Sequence, residues 1–179
     1  MIALFLLALA ADPHVIIETS LGEIEVAIAT EKAPITASNF LRYVKEGRYT
    51  QGRFHRTVRM DNQPASQIKI EAIQAGPAPG AKAFPPIPLE RTSVTGILHQ
   101  DGVISMARAG PDTATADFFL CIGDQPALDF GGQRNPDGQG FAAFGRVVRG
   151  AEVVKRIQQS PYAQQRLTPP MTILRIYQK

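Results

Sequence analysis

Apolar and polar residues alternate along much of this chain, with the two-residue period of β-strands. Between Val15 and Ala29 the alternation continues on both sides of Ser20-Leu21-Gly22, which predicts a β-hairpin with a glycine-containing turn. Short apolar or alternating segments predict further strands over 53–58, 67–74, 103–106, 118–121, 141–148 and 172–177. The pattern therefore indicates a mainly β fold.

Two segments have the 3.6-residue period of amphipathic helices instead. In Glu31 to Gly47, Pro34 suits the first helical turn and Gly47 the end of the helix. The second helix is predicted over Gly150 to Gln158. About eight strands and two helices, with no internal repeat, favour a closed eight-stranded antiparallel β-barrel capped by two α-helices.

Three stretches lack both periods and are predicted to be loops, over 59–66, 75–88 and 123–140. The last of these is rich in glycine, which raises the possibility of a phosphate-binding loop. It has neither the GxxxxGK[ST] spacing nor a strand-GxGxxG-helix context, so we exclude that function. Residues 89–95 match neither period.

Length and composition limit the possible classes of protein. A chain of 179 residues that is 44% hydrophobic and 20% charged suits one globular domain with a substantial core. The net charge is +3 and the basic residues are scattered, so no nucleic-acid-binding surface is expected. The single cysteine cannot form an intramolecular disulfide, and His14 and His99 lack the spacing of a metal site.

The first ten residues form an apolar run that is too short to span a membrane as a helix. The run ends in Ala8-Leu9-Ala10, a small-residue pattern that signal peptidases cleave. We predict a signal peptide over 1–10 and a single domain over 11–179, in a periplasmic or secreted protein. Because no Lys or Arg precedes the run, a buried N-terminal strand is the alternative, and the protein would then be cytoplasmic.

Two adjacent phenylalanines, Phe118 and Phe119, lie in one predicted strand. Neighbouring side chains of a strand point to opposite faces, so the two rings cannot enter the same core. One of them must line a second apolar surface, which is either another core layer or a pocket.

Several short motifs, taken together and in order, resemble one known family. They are Leu21-Gly22-Glu23-Ile24, Ala33-Pro34, Asn39-Phe40-Leu41, Phe54-His55-Arg56, Ile73-Gln74-Ala75-Gly76, Gly102-Val103-Ile104-Ser105-Met106-Ala107, Phe118-Phe119-Leu120-Cys121, Phe144-Gly145-Arg146-Val147-Val148 and Val153-Val154-Lys155-Arg156-Ile157. This series resembles the cyclophilin family of peptidyl-prolyl cis-trans isomerases, over nearly all of the chain from Val15 to Lys179. The resemblance implies the same closed barrel.

Rotation about a peptide bond costs about 18–20 kcal/mol, because the conjugation of the nitrogen lone pair must be broken. In the twisted transition state the proline nitrogen gains a localised lone pair. A fixed donor aimed at that nitrogen binds the transition state better than either ground state, and arginine is a suitable donor because it stays protonated. The reaction requires no metal and no cofactor.

The resemblance implies a role for individual residues. Arg56 corresponds to the catalytic arginine, Gln74 to a glutamine that binds the substrate backbone, Phe119 to the aromatic floor of the proline pocket and Leu128 to its wall. Phe118 is then the residue that faces the core. Further residues expected at the substrate-binding site are Ile70, Ala72, Ala107, Arg108, Asp117 and Phe141.

Some of these positions depart from the common pattern of the family. Arg108 replaces an asparagine, Asp117 a glutamine that supports the catalytic arginine, Ala127 a tryptophan or other bulky residue, and Phe141 a histidine or tyrosine. The segment between Arg56 and Gln74 is longer than usual, and smaller groups around Ile70 and Ala72 replace an aromatic residue and a methionine. We consider two hypotheses for the Asp117 carboxylate, namely a pair with Arg56 or a pair with Arg108.

The resemblance implies an isomerase of X-Pro bonds in unfolded or newly exported polypeptides. The alternative is a proline-peptide binding module or chaperone that has kept the fold with little turnover. Either protein would bind proline-containing segments of client proteins. We expect a monomer with no nucleic-acid partner and no stable membrane insertion after cleavage of the signal peptide.

Overall fold

Eight strands close into an antiparallel barrel in the computed structural model, which describes residues 11–179. The described residues contain nine strands in all: β1 (His14–Thr19), β2 (Gly22–Ile28), β3 (Gly52–Val58), β4 (Ala72–Gly76), β5 (Val103–Met106), β6 (Phe118–Cys121), β7 (Ala142–Arg149), β8 (Tyr162–Ala163) and β9 (Arg166–Gln178). Their order is β1-β2-β7-β5-β6-β4-β3-β9, and β9 pairs with β1 to close the ring, while β8 adds a short pair to β9. The predicted mainly β, eight-stranded antiparallel barrel is confirmed.

Helices pack against this barrel on two sides. The predicted helices are α1 (Pro34–Lys45), which contacts β7 and β9, and α3 (Ala151–Gln158), which contacts β2, β3 and β4. A four-residue helix, α2 (Thr92–Thr95), and a 3₁₀ turn (Pro126–Leu128) lie in segments that have no helical period. Across residues 11–179, no helix combines the length and the apolar character needed to cross a membrane.

The main hydrophobic core fills the inside of the barrel and the space beneath α1. Phe40 of α1 packs edge-on against Phe118 at a centroid distance of 5.5 Å and lies 5.2 Å from Phe144. Phe118 is fully buried in this core, whereas Phe119 belongs to a second cluster. The prediction that Phe118 faces the core is therefore confirmed.

The second hydrophobic cluster lies on the outer face of the barrel wall. It contains Val58, Ile70, Ala72, Phe119, Cys121 and Leu128, with Ala107, Ala127 and Phe141 packed against it. Along β6, Phe118 and Leu120 belong to the inner core, and Phe119 and Cys121 to the outer cluster. Strand alternation thus produces two apolar surfaces from one continuous apolar run.

The predicted strand over 67–74 is wrong in its first half, because β4 begins only at Ala72. At residue 70 the backbone is hydrogen-bonded by the buried side chain of Gln63 and not by a neighbouring strand. Its amide nitrogen donates to the Ile70 carbonyl at 2.8 Å, and its amide oxygen accepts from the Ile70 N–H at 3.3 Å. The backbone of Ile70 is satisfied in this way without a sheet partner.

The last strand is longer than the predicted 172–177, since β9 begins at Arg166. Its additional residues form a hairpin with β8, with Gln164 at φ +60° and Gln165 between the paired residues. Arg166 of this hairpin pairs with Arg56 of β3, which brings Gln165 close to β3. The predicted signal peptide lies outside the described residues.

Candidate active site

A cavity of about 270 Å³ opens over the outer hydrophobic cluster. Its lining residues are Arg56, Val58, Ile70, Ala72, Gln74, Ala107, Arg108, Phe119, Leu128, Arg134, Asn135 and Phe141. All of the predicted site residues except Asp117 line this cavity. Three strands, β3, β4 and β6, together with the loops that flank the barrel, therefore bring together side chains that are distant in the sequence.

The floor of the cavity is Phe119, of which only 6% is exposed. Phe141 packs edge-on against it at a centroid distance of 5.3 Å. The His99 ring stacks against Phe119 at 6.0 Å, and its two nitrogens bond to Asp129 at 2.7 Å and to Ser105 at 2.9 Å. These buried polar groups are paired, so they hold the floor of the pocket in a fixed orientation.

The position of Arg56 depends on a β-bulge. The pairing of β3 with β4 shifts register between Phe54, opposite Ala75, and Arg56, opposite Gln74, so His55 is an extra residue. In regular alternation Phe54 and Arg56 would share one face, but Phe54 is fully buried in the core and Arg56 lines the outer cavity. The bulge is thus what directs Arg56 to the cavity.

Two glutamines hold the Arg56 guanidinium. Nε and Nη2 donate to Gln165 Oε1 at 2.9 and 2.6 Å, and Nη1 donates to Gln74 Oε1 at 3.2 Å. Arginine has five N–H donors, so two of them are free to reach a substrate. Burial lowers the pKa of Arg56, and the positive charge of Arg134 lowers it further.

Asp117 pairs with neither arginine, so both hypotheses for its carboxylate are wrong. It accepts from Gln74 Nε2 at 3.2 Å and lies 3.6 Å from His55 Nε2. The carboxylate reaches this position because residue 76 is glycine: a Cβ there would lie 2.1 Å from Asp117 Oδ1. Asp117 therefore acts on Arg56 only through Gln74.

Arg108 forms a bidentate pair with Asp137, at 2.7 and 2.9 Å, and its Nε donates to the Gly140 carbonyl at 2.7 Å. Its guanidinium carbon lies 5.1 Å from the centroid of the Phe141 ring. The Arg108 side chain is almost fully buried. Its bond to Asp137 holds the pKa of that carboxyl at about 2. Arg108 therefore anchors the segment 130–140, which comes after the wall residue Leu128 in the sequence.

Sequence reasoning missed three residues that shape the site, namely Gln165, Arg134 and Asn135. Gln165 belongs to a hairpin that was not predicted, so no pattern linked it to Arg56. Arg134 and Asn135 lie in the turn-rich segment 123–140, where an arginine at the rim of a pocket has no periodic signal. Across residues 11–179, no group of three or more His, Cys, Asp or Glu side chains is arranged to hold a metal ion.

The comparisons with known proteins agree with this geometry. The family model described as cyclophilin type peptidyl-prolyl cis-trans isomerase matches residues 14–178. The chain is 36% identical over 153 residues to peptidyl-prolyl cis-trans isomerase A of Dickeya dadantii, covering 85% of this chain and 74% of that protein. It is 33% identical over 141 residues to peptidyl-prolyl cis-trans isomerase B of Escherichia coli, covering 78% of this chain and 80% of that protein.

The fold is shared with a crystal structure of a cyclophilin type peptidyl-prolyl cis-trans isomerase of Cryptosporidium parvum, determined in the presence of the dipeptide Ala-Pro. The TM-score is 0.74 at 20% sequence identity, with 92% of this chain and 97% of that chain covered. A closed barrel with an arginine beside an outer apolar pocket defines the class of protein. The chain belongs to the cyclophilin-type peptidyl-prolyl cis-trans isomerase family.

Proposed function

We propose that this protein accelerates rotation about X-Pro bonds in unfolded polypeptides, with Arg56 as the catalytic residue. Membership of the isomerase family supports the activity. The observation that supports the role of Arg56 is its fixed guanidinium at a cavity with an apolar floor, where two of its N–H donors have no partner among residues 11–179. A proline ring resting on Phe119 would have its nitrogen within reach of these donors.

The expected mechanism is electrostatic. As the X-Pro bond twists, the proline nitrogen develops a lone pair that the Arg56 donors stabilise more strongly than the planar amide. Gln165 and Gln74 hold the guanidinium before the substrate arrives, so little reorganisation is needed during rotation. The apolar floor formed by Phe119, Leu128 and Phe141 excludes water from the ring.

The test is isomerisation of a short X-Pro peptide by wild type and by Arg56→Ala. Loss of a donor aimed at the transition state is expected to lower kcat/KM by about 10²–10³-fold. The control is Arg53→Ala, which removes an exposed arginine from the same strand and is expected to leave the rate unchanged. Peptide binding with equal rates from wild type and Arg56→Ala would contradict the catalytic role and favour the binding-module alternative.

We further propose that residues 1–10 are a signal peptide and that the mature protein acts outside the cytoplasm as a monomer. The apolar run and the Ala8-Leu9-Ala10 pattern support this proposal. After expression of the full chain in a bacterium, the periplasmic protein is expected to begin at Ala11 and to sediment as a single chain. An intact N-terminus in the cytoplasmic fraction would contradict it.

A further inference from the structure

The charged side chains that line the cavity are all positive. Three arginines, Arg56, Arg108 and Arg134, line it, and no Asp or Glu is among its lining residues. Asp137 compensates Arg108 through the bidentate pair. Within residues 11–179, neither Arg56 nor Arg134 has a carboxylate oxygen within 4.0 Å, because their partners are glutamine, serine and backbone oxygens.

The carboxylates close to the cavity are already engaged elsewhere. Asp137 binds Arg108, Asp129 accepts from His99, and Asp117 accepts from Gln74 beside His55. None of them is directed at Arg134. Two positive charges therefore remain without an anionic partner at the site where a peptide would bind.

Arg134 is brought to the cavity by close packing of the segment 130–140 against the wall. Its backbone N–H donates to the Ala127 carbonyl at 3.1 Å. Gly132 allows the approach, because a Cβ there would lie 2.4 Å from the Ala127 carbonyl oxygen. Ala127 takes the place of a bulky residue of the family pattern, and at this side of the cavity a cation is among the lining residues.

Only part of the Arg134 guanidinium is used by the protein. Nη1 donates to Ser66 Oγ at 2.7 Å and to the Ile68 carbonyl. Among the described residues, Nε and Nη2 have no hydrogen-bond partner, so three N–H donors are free. Burial lowers the pKa of both Arg134 and Arg56, which means that both charges are partly removed from water. A partly buried guanidinium with free donors is a good receptor for a carboxylate.

We propose that Arg134 determines specificity, and that the preferred substrates are peptide segments with a carboxylate next to the proline. The carboxylate comes from an Asp or Glu beside the proline or from the chain terminus when proline is the last residue. It would form charge-assisted hydrogen bonds with the free donors of Arg134 and offset one of the two positive charges. A lysine at the same place would be disfavoured by both arginines. This inference rests on the proposed isomerase activity of the same cavity.

The test compares peptides that differ in one group, by exchange NMR, which needs no coupled protease. Three pairs locate the carboxylate: Glu against Gln before the proline, Glu against Gln after it, and a terminal proline as free acid against its amide. In at least one pair, wild type is expected to favour the acidic peptide by about tenfold in kcat/KM at low salt. The preference is expected to fall as salt is added, because the pair is only partly buried.

Variants assign the preference to Arg134. Arg134→Gln is expected to reduce the acid-to-neutral ratio to about one, and Arg134→Lys to retain part of it because the charge is kept. The matched control is Arg146→Gln, which removes an exposed arginine that lines a different cavity and leaves the ratio unchanged. The ratio is internal to each variant, so a general loss of activity from a weakened contact with Ser66 and Ile68 does not affect it.

The outcomes separate this inference from the proposed function. If no peptide is accelerated above its spontaneous rate, the isomerase activity itself is wrong. If all peptides are accelerated and wild type shows no acidic preference in any pair, the specificity is wrong and the activity stands. An acidic preference that survives in Arg134→Gln would also overturn the role of Arg134.

Discussion

At the scale of single residues, Arg56, the proposed catalytic arginine, depends on a neighbour that belongs to a distant part of the chain. Gln165 Oε1 accepts two bonds from Arg56, and Gln165 Nε2 donates to the Asn62 carbonyl at 3.1 Å. The glutamine is therefore itself held in place. It orients Arg56 without touching the cavity.

Gln165→Leu is expected to lower kcat by about tenfold with little change in KM, because the guanidinium loses its orientation but the apolar pocket remains. Steady-state kinetics on one X-Pro peptide measures this split between kcat and KM. Gln159→Leu, a change at an exposed glutamine at the end of α3, is the control. An unchanged kcat in Gln165→Leu would show that Gln74 alone is sufficient to orient Arg56.

Asp117 is expected to matter through its acceptor oxygen rather than its charge. Asp117→Asn keeps an oxygen that can accept from Gln74 Nε2, so kcat/KM should stay within about twofold of wild type. Asp117→Leu removes the acceptor, frees the Gln74 amide to turn, and should lower the rate further. A large loss in Asp117→Asn, measured with the same peptide, would mean that the negative charge acts directly on Arg56.

At the scale of secondary-structure elements, two adjacent residues of β6 are expected to have different roles. Phe118 contributes to stability in the inner core, and Phe119 contributes to function in the outer cluster. Phe118→Ala is expected to cost about 3–5 kcal/mol of unfolding free energy, because it leaves a cavity in a fully buried aromatic core. Phe119→Ala should cost less, since its ring borders an open cavity, but it removes the floor of the pocket and should abolish most of the isomerisation. Urea denaturation and activity per folded molecule measure the two effects, and equal stability losses would contradict the assignment of the two faces.

The bulge in β3 and the hairpin of β8 and β9 together set the position of Arg56. The bulge turns Arg56 outward, and the hairpin places Gln165 beside it. The Thr57 N–H donates to the Gln165 carbonyl at 2.9 Å, which fixes the hairpin to β3. The position of Arg56 at the candidate site therefore depends on irregular elements of an otherwise regular barrel.

At the scale of the whole molecule, the barrel closes beside a cluster of charges. Glu25 of β2 bonds to His14 at 2.7 Å and to Lys179 at 3.1 Å, and Arg149 of β7 lies 3.2 Å away. These partners lower the pKa of Glu25 from 4.5 to about 2, the hydrogen bond from His14 having the largest effect. The cluster joins both ends of the described chain to adjacent strands.

Because the pKa of Glu25 is lowered in the folded state, its contribution to stability is complete above its unfolded pKa. That contribution is lost as pH falls from about 4.5 to about 2. The difference in thermal unfolding midpoint between wild type and Glu25→Gln should be constant above pH 5 and shrink through this window. Glu31→Gln, at an exposed position, is the control. A difference that stays constant down to pH 2 would contradict the lowered pKa.

The sequence alone predicted the barrel through local patterns, and most residues of the cavity through the resemblance of its motifs to a known family. Alternation predicts strands, and two adjacent phenylalanines in a strand require two apolar surfaces. The motifs around Arg56, Gln74 and Phe119 added the class of protein. The pairing of Asp117 and the extent of the strands near residues 67 and 166 could not be obtained in this way.

Tertiary structure decided those features because each depends on a partner that is far away in the chain. Gln63 satisfies Ile70 without a strand, and Gln165 holds Arg56 across 109 positions. Asp117 bonds to Gln74, while Arg108 is paired with Asp137. A bulge, a side-chain hydrogen bond and the balance of charge in a cavity have no periodic signature. They follow only from which groups the closed barrel brings within hydrogen-bonding distance.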